Sequence, residues 1–240
     1  ETDEQFVVDT LKEKGLLYKG RDVVPWCPRC GTAISQHEIL TEEYKEITHQ
    51  SIFIKLPIKD EKDKFFIAWT TTPWTLSANV ALAVHPELDY VEVKNKEGTF
   101  ILLKDQKGLV DGKVVKTFKG KELEGLEYEG MFDELPEVKD SLKDYNHKVI
   151  LWDEITTDEG TGVVHIAPGC GQEDFQLGKE LDLPVINPTN DEGRYREGFD
   201  FLTGKLTSEV NDLVFENLKK KNKVYKIEDY THRYPTCWRC

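Results

Sequence analysis

No apolar run in this 240-residue sequence approaches the roughly 20 residues that a membrane-spanning helix requires. The opening residues, Glu1-Thr2-Asp3-Glu4, lack both the basic region and the apolar stretch of a secretory signal. No initiator methionine is present, as expected of a piece of a longer chain. Positive charge is also in deficit: 32 Lys and Arg face 45 Asp and Glu, a formal net charge of −13. Such a surface repels phosphate backbones at long range, which argues against strong non-specific nucleic-acid binding. A nucleic-acid partner would have to be gripped locally, with affinity supplied from elsewhere. Cysteine is sparse, and its five copies fall as two, one and two, which is no disulfide scaffold. Two C-x-x-C pairs in a chain of this kind predict a metal, a reducing compartment and a cytoplasmic setting. With 38% hydrophobic and 32% charged residues, the composition is that of a globular domain large enough for a real core.

The pattern along the chain is mixed. Glu4–Lys14 reads as a helix stopped by Gly15. From Ser51 to Phe118 the sequence turns mostly β. Ile52, Ile54 and Leu56 alternate against Ser51 and Lys55 as in a half-buried strand. Phe65–Trp69, Tyr90–Val93, Phe100–Leu103 and Val114–Phe118 are further short strands, and such spacing favours a barrel or sandwich. The charge-rich stretch Lys121–Asp144 reads as a surface excursion. Val149–Trp152 and Val163–Ile166 return to strand, and Glu173–Leu181 reads as a short helix. Ser208–Lys220 is the clearest helix, with Val210, Leu213, Val214 and Leu218 in one stripe, Ser208 as its cap and lysines at its C-terminal end. No internal repeat appears beyond the paired knuckles.

Cys27 and Cys30 lie near one end, and Cys237 and Cys240 at the other. Two such pairs match a tetrahedral structural zinc, although each taken alone would also serve as an unmetallated turn with buried thiols. Four cysteines leave no open position for water, so a catalytic metal is disfavoured. A shared ion would bring the two chain ends together.

Two segments carry candidate chemistry. Trp69-Thr70-Thr71-Thr72-Pro73-Trp74-Thr75-Leu76-Ser77-Ala78-Asn79 places a row of hydroxyls beside Trp74, with Thr75 or Ser77 able to start a short helix. Gly160 to Asp174 contains glycines that let backbone approach a ligand, then His165 near a strand end and Asp174 in the first turn of a helix. Each residue has a bland reading: strand propensity for the threonines, a satisfied core histidine, a carboxylate favoured by the helix dipole. Together they can supply a carboxylate for an ammonium group, a histidine near a scissile bond and hydroxyls for water. A cysteine hydrolase built on Cys170 and His165 is one rival reading, without an evident third group. A nucleic-acid-binding zinc ribbon is another, with Lys219–Lys226 as a phosphate contact or simply a solvated helix end.

WTTTPWTLSAN and GTGVVHIAPGCGQED resemble the two signature stretches of the connective editing domain of isoleucyl-tRNA synthetases, which are class I enzymes. PWCPRCG and YPTCWRC are similar to that family's flanking zinc knuckles, so the likeness runs in order along nearly the whole chain. Thr72-Pro73-Trp74 favours the isoleucyl branch over the valyl and leucyl ones, which usually carry T-x-R-P. The resemblance implies an α+β fold, mostly β and barrel-like, with peripheral helices and a zinc-knuckle attachment stalk. It divides the chain into an attachment segment at 1–46, an editing core at 47–205 and a C-terminal helix and return segment at 206–240.

By resemblance, substrate contacts fall on Thr70, Trp74, Thr75, Asn79, His165 and Asp174, and catalysis on Thr71, Thr72, His165 and Asp174. Asp174 should bind the α-amino group of the misattached amino acid, and His165 should lie near the terminal ribose. Cys27, Cys30, Cys237 and Cys240 should hold the zinc. The implied activity is hydrolysis of valine misattached to isoleucine tRNA, extending to misactivated valyl-adenylate. The implied partners are the 3′ end of that tRNA, valine and the remainder of the synthetase, with the isolated fragment a monomer. HIGH and KMSKS signatures are absent, which places the ATP-using step outside this fragment. Ser77 and Cys170 depart from the family, where Pro and His are common.

Overall fold

The computed structural model describes residues 2–20, 22–41 and 44–240. Helix α1 (Asp3–Glu13) begins where the Thr2 hydroxyl accepts from the Gln5 amide, and Gly15 follows it at φ 67°. Strands β1 (Trp26–Cys27) and β2 (Thr32–Ala33) make a small hairpin around the first C-x-x-C, and α2 (Gln36–Thr41) follows. Then come β3 (Lys45–Pro57), β4 (Lys64–Thr70), β5 (Ala81–Val84), β6 (Asp89–Asn95), β7 (Gly98–Leu103) and β8 (Lys113–Lys119). The remainder is α3 (Pro136–Ser141), β9 (Lys148–Leu151), β10 (Val164–Ile166), α4 (Gln172–Glu180), α5 (Asn211–Lys220) and β11 (Val224–Tyr234).

The strands form two main sheets. Six run in the order β11-β3-β4-β7-β6-β8, and three in the order β10-β5-β9. Neither closes on itself, because β11 and β8 remain edges of the larger sheet. The expected barrel-like shape is therefore corrected to a mixed α/β fold of open sheets. Within the larger sheet β4 and β7 pair in parallel. A parallel pair cannot be joined by a tight hairpin. The chain leaves the sheet after Thr70, lays down β5 as the centre of the second sheet, and returns through β6.

Both faces of the large sheet are covered. One faces the main core, where Ile52, Ile54 and Leu56 meet Val80–Val84, Ile166 and Leu218. The other carries a second cluster of Phe53, Ile67, Val91, Val93, Phe100, Leu102 and Val110. Hence Ser51 and Lys55 are buried too, and the half-exposed alternation expected for this strand is absent. The Lys55 ammonium reaches Asn222 Oδ1 at 3.1 Å. The stretch 121–144 is likewise no mere surface excursion: Leu123, Tyr128, Met131, Phe132, Leu135 and Val138 enter the main core between its charges. Helix α5 buries Val214, Phe215 and Leu218 in the same core, each worth roughly 1.5–3 kcal/mol. Its cap position is Val210, since residues 207–209 form a separate 3₁₀ turn that displaces Ser208 from that role.

Candidate functional site

Strand β4 delivers Trp69 and Thr70 to the edge of the main core, and the chain then turns through Thr71 and Thr72 into a 3₁₀ helix, Pro73–Ala78. Thr72, rather than Thr75 or Ser77, occupies the position before that helix, with Pro73 at its start, where a missing N–H does no harm. Opposite lies β10, antiparallel to β5, with His165 paired to Leu82 and Ile166 to Ala81. Asn79 thus sits just before β5, where the two signature segments converge.

These side chains form one hydrogen-bonded group. Thr75 Oγ1 lies 2.8 Å from His165 Nε2, and Asn79 Nδ2 lies 3.2 Å from His165 Nδ1. The Thr75 hydroxyl also donates to the Thr72 carbonyl at 2.9 Å, while the Thr72 amide donates to Thr70 Oγ1 at 3.1 Å. Thr70 and Thr72 hydroxyls approach to 3.2 Å, and those of Thr72 and Thr75 to 3.4 Å. Thr70, Thr72 and Thr75 are thereby engaged with protein groups. Among the described residues, Thr71 makes no such bond, and it lines a cavity of about 310 Å³ with Trp69, Thr70, Trp152 and residues 160–164. Burial holds His165 down at about 4, so the ring is neutral near pH 7.

Asp174 stands in the first turn of α4 and accepts the Ala167 amide at 2.8 Å, which folds its carboxylate over Gly171. Burial raises its pKa, with Glu173 adding to the rise against the Ala167 amide. A desolvated carboxylate whose only donors are backbone amides is suited to receive a cation. No direct bond joins Asp174 to His165 or the threonines; the turn 167–171 separates them. A second cavity, of about 420 Å³, opens on Cys170, Gln172 and Glu173 and is closed by Val23–Pro25, Ile39, Tyr44 and Pro235.

Two glycines are needed by this geometry. Gly162 has φ 72°, and a Cβ there would fall 2.5 Å from Leu103 Cβ. At Gly169 a Cβ would fall 1.8 Å from the Ile186 carbonyl oxygen. Sequence reading missed three tyrosines that brace the site from distant segments. The Tyr90 hydroxyl donates to Gly162 O at 2.6 Å, Tyr195 to Trp74 O at 2.5 Å and Tyr128 to Asn79 Oδ1 at 2.7 Å. Local sequence carries no signal of these contacts, because each joins residues at least 49 positions apart.

At the ends of the chain, Cys27 Sγ lies 3.6 Å from Cys240 Sγ, and Cys30 Sγ 3.9 Å from Cys237 Sγ. All four sulfurs fall within 4.8 Å of one another, a cluster able to hold a metal ion. The lysines after α5 are occupied within the protein. Lys221 pairs with Glu134 and reaches Met131 O, Lys223 reaches Gly130 O, and Lys226 pairs with Glu228.

The family model for class I tRNA synthetases (I, L, M and V) matches residues 2–227, and the chain belongs to that family. Within it, the chain is 44% identical over 251 residues to the isoleucine–tRNA ligase of Pyrococcus horikoshii, covering 98% of this chain and 23% of that protein. The Clostridium novyi isoleucine–tRNA ligase is also 44% identical, over 238 residues, with 98% and 22% covered. The chain thus spans under a quarter of the length of these relatives. In structure it is similar to the Plasmodium falciparum cytosolic leucyl-tRNA synthetase editing domain. The TM-score is 0.56 at 11% identity, over 75% of this chain and 99% of that one.

Proposed function

We propose that this chain is the proofreading unit of an isoleucyl-tRNA synthetase and hydrolyses valine wrongly esterified to isoleucine tRNA. The observation that carries this reading is the convergence of Thr70, Thr72, Thr75, Asn79 and His165 into one hydrogen-bonded group, with the desolvated Asp174 carboxylate across the turn 167–171 from it. Valine is one methylene smaller than isoleucine, and a hydrophobic pocket separates such a pair by only about 1–3 kcal/mol, a limit for which these two amino acids are the standard illustration. A second, smaller site raises fidelity by destroying the error. Asp174 receives the ammonium group of the valyl ester. Water held at the Thr71 hydroxyl adds to the ester carbonyl, the bond to the ribose oxygen breaks, and valine and uncharged tRNA leave. An aminoacyl ester is already activated, so positioning supplies much of the rate. The same site would act on valyl-adenylate. The ribose and 3′ end of the tRNA are the local nucleic-acid contact, and most of the tRNA is held by the remainder of the synthetase, which also carries the ATP-dependent step. Residues 47–205 form the editing core, with 1–46 and 206–240 as attachment segments, and the setting is cytoplasmic.

Offered isoleucine tRNA charged with either amino acid, the chain should release valine faster than isoleucine, as read by loss of radiolabelled aminoacyl-tRNA. Equal rates would remove the sieve. The thiol rival is disfavoured by the geometry: both His165 nitrogens face Asn79 and Thr75, and burial pushes the Cys170 thiol well up, with Asp174 adding to it. Cys170→Ala should therefore leave deacylation within about threefold, since no reacting group is lost.

The four cysteines fit a structural zinc. Tetrahedral Zn–S bonds of about 2.3 Å place sulfurs about 3.8 Å apart, near the Cys27–Cys240 and Cys30–Cys237 separations of 3.6 and 3.9 Å. Such an ion would clasp the attachment segments together and take no part in hydrolysis. Zinc content should be one per chain and fall to near zero in Cys27→Ser/Cys30→Ser. Proteolysis within residues 14–40 should then accelerate by about tenfold, the factor expected for a lost local clamp of 1.4 kcal/mol.

A further inference from the structure

Tyr128 is buried, and its hydroxyl donates to Asn79 Oδ1 at 2.7 Å. Burial raises its pKa well above the ordinary phenol, so the hydroxyl keeps its proton and can donate it. Its ring lies against His147, centroids 5.1 Å apart, and His147 is itself pinned between Val80 O at 3.1 Å and Asp133 Oδ1 at 2.9 Å. Neither the hydroxyl nor this support belongs to the signature segments.

The other atom of the Asn79 amide head lies 2.9 Å from Ala81 O and 3.4 Å from Ile166 O. Carbonyl oxygens only accept, so that atom is the NH₂. The same NH₂ faces His165 Nδ1, which must then be the bare, accepting nitrogen of a neutral ring. The proton is left on Nε2, where it points at Thr75 Oγ1, whose own proton goes to Thr72 O. Each donor in this chain of groups meets an acceptor, and reversing the amide would set oxygen against two carbonyl oxygens.

We infer that Tyr128 is a positioning residue: its hydroxyl locks the Asn79 amide so that His165 is held as the Nε2–H tautomer. In that state His165 is a fixed donor that aims Thr75, and it is not the base that activates water. The inference rests on the editing reading for its catalytic consequence, but the tautomer does not depend on it.

Long-range ¹H–¹⁵N spectra of the histidine-labelled 240-residue chain, assigned through His165→Gln, give the test. The expected spectrum shows His165 with a bare Nδ1 and a protonated Nε2. Tyr128→Phe should shift it toward a mixture of tautomers and slow valyl-tRNA deacylation about fivefold, the worth of one hydrogen bond, with KM little changed. Asn79→Asp, whose carboxylate only accepts, should draw the proton onto Nδ1. A wild-type His165 protonated on Nδ1 would overturn the inference even if neither variant folds, as would Tyr128→Phe with an unaltered His165 spectrum, whatever its rate. The expected spectra without any valine release would instead overturn the editing reading and leave the tautomer lock standing.

Discussion

Asp174→Asn should make the chain more stable and less active at the same time. In the folded protein the Asp174 carboxyl is desolvated and its pKa is raised. A group raised in this way favours folding while protonated, and that contribution is lost as pH rises through its folded pKa. Above that pKa the carboxyl therefore works against the fold. Asparagine can still accept from the Ala167 amide, so the turn 167–171 should survive the exchange. The gain should be roughly 1 kcal/mol, typical where a substitution relieves a functional compromise, or about 2–4 °C in Tm for a chain of this length. Deacylation should fall by about 10- to 100-fold, because a charge-assisted bond to the substrate's ammonium is worth about 1.5–3 kcal/mol. Calorimetry and a deacylation assay on one preparation read both effects. A variant that loses stability together with activity would mean that Asp174 is a helix-start residue and no more.

What the sequence could and could not disclose follows from how local each signal is. The short strands at 65–69, 90–93, 100–103 and 114–118 were legible because their apolar residues and turn signals are local, and all four lie within observed strands. The 3.6-residue stripe of α5 was legible for the same reason. The open form of the sheet was not. It depends on strand pairings distant in sequence, such as that of β4 with β7 across some thirty intervening residues, which the whole core decides. Burial of 121–144 was hidden by its charge, since Tyr128, Phe132 and Val138 enter the core singly between acidic and basic residues. At the site, the sequence named the threonines, Asn79, His165 and Asp174. It offered no means of ranking four hydroxyls, whereas the hydrogen bonds separate Thr71 from its three engaged neighbours. Tyr90, Tyr128 and Tyr195 escaped notice because a bracing residue has no motif of its own. Its meaning comes from a partner brought near by folding.

His165 makes the fold acid-labile in a definite window. Burial holds its folded pKa at about 4, against 6.5 for a free imidazole. As pH falls below 6.5, the unfolded chain takes a proton that the folded chain refuses, so stability declines until about pH 4 and this group's contribution then levels off. Across the window the loss should approach 3 kcal/mol at about 1.4 kcal/mol per pH unit. With an m-value of about 2–3 kcal/mol/M for a chain of this size, the urea midpoint should drop by roughly 1 M. Other groups also titrate on acidification, and the raised pKa of Asp174 acts on stability in the opposite sense, so the informative quantity is the difference from His165→Gln. That variant should lose its midpoint less steeply between pH 6.5 and 4, whatever its stability at pH 7. Parallel slopes would show that the ring takes up its proton as easily folded as unfolded. The same burial bears on catalysis: a freely titrating histidine base would give the deacylation rate a limb near pH 6.5, and a ring that burial keeps neutral should leave it flat there. If the rate limb and the stability slope both appear at the ordinary imidazole value, His165 titrates freely and must be restored as the base.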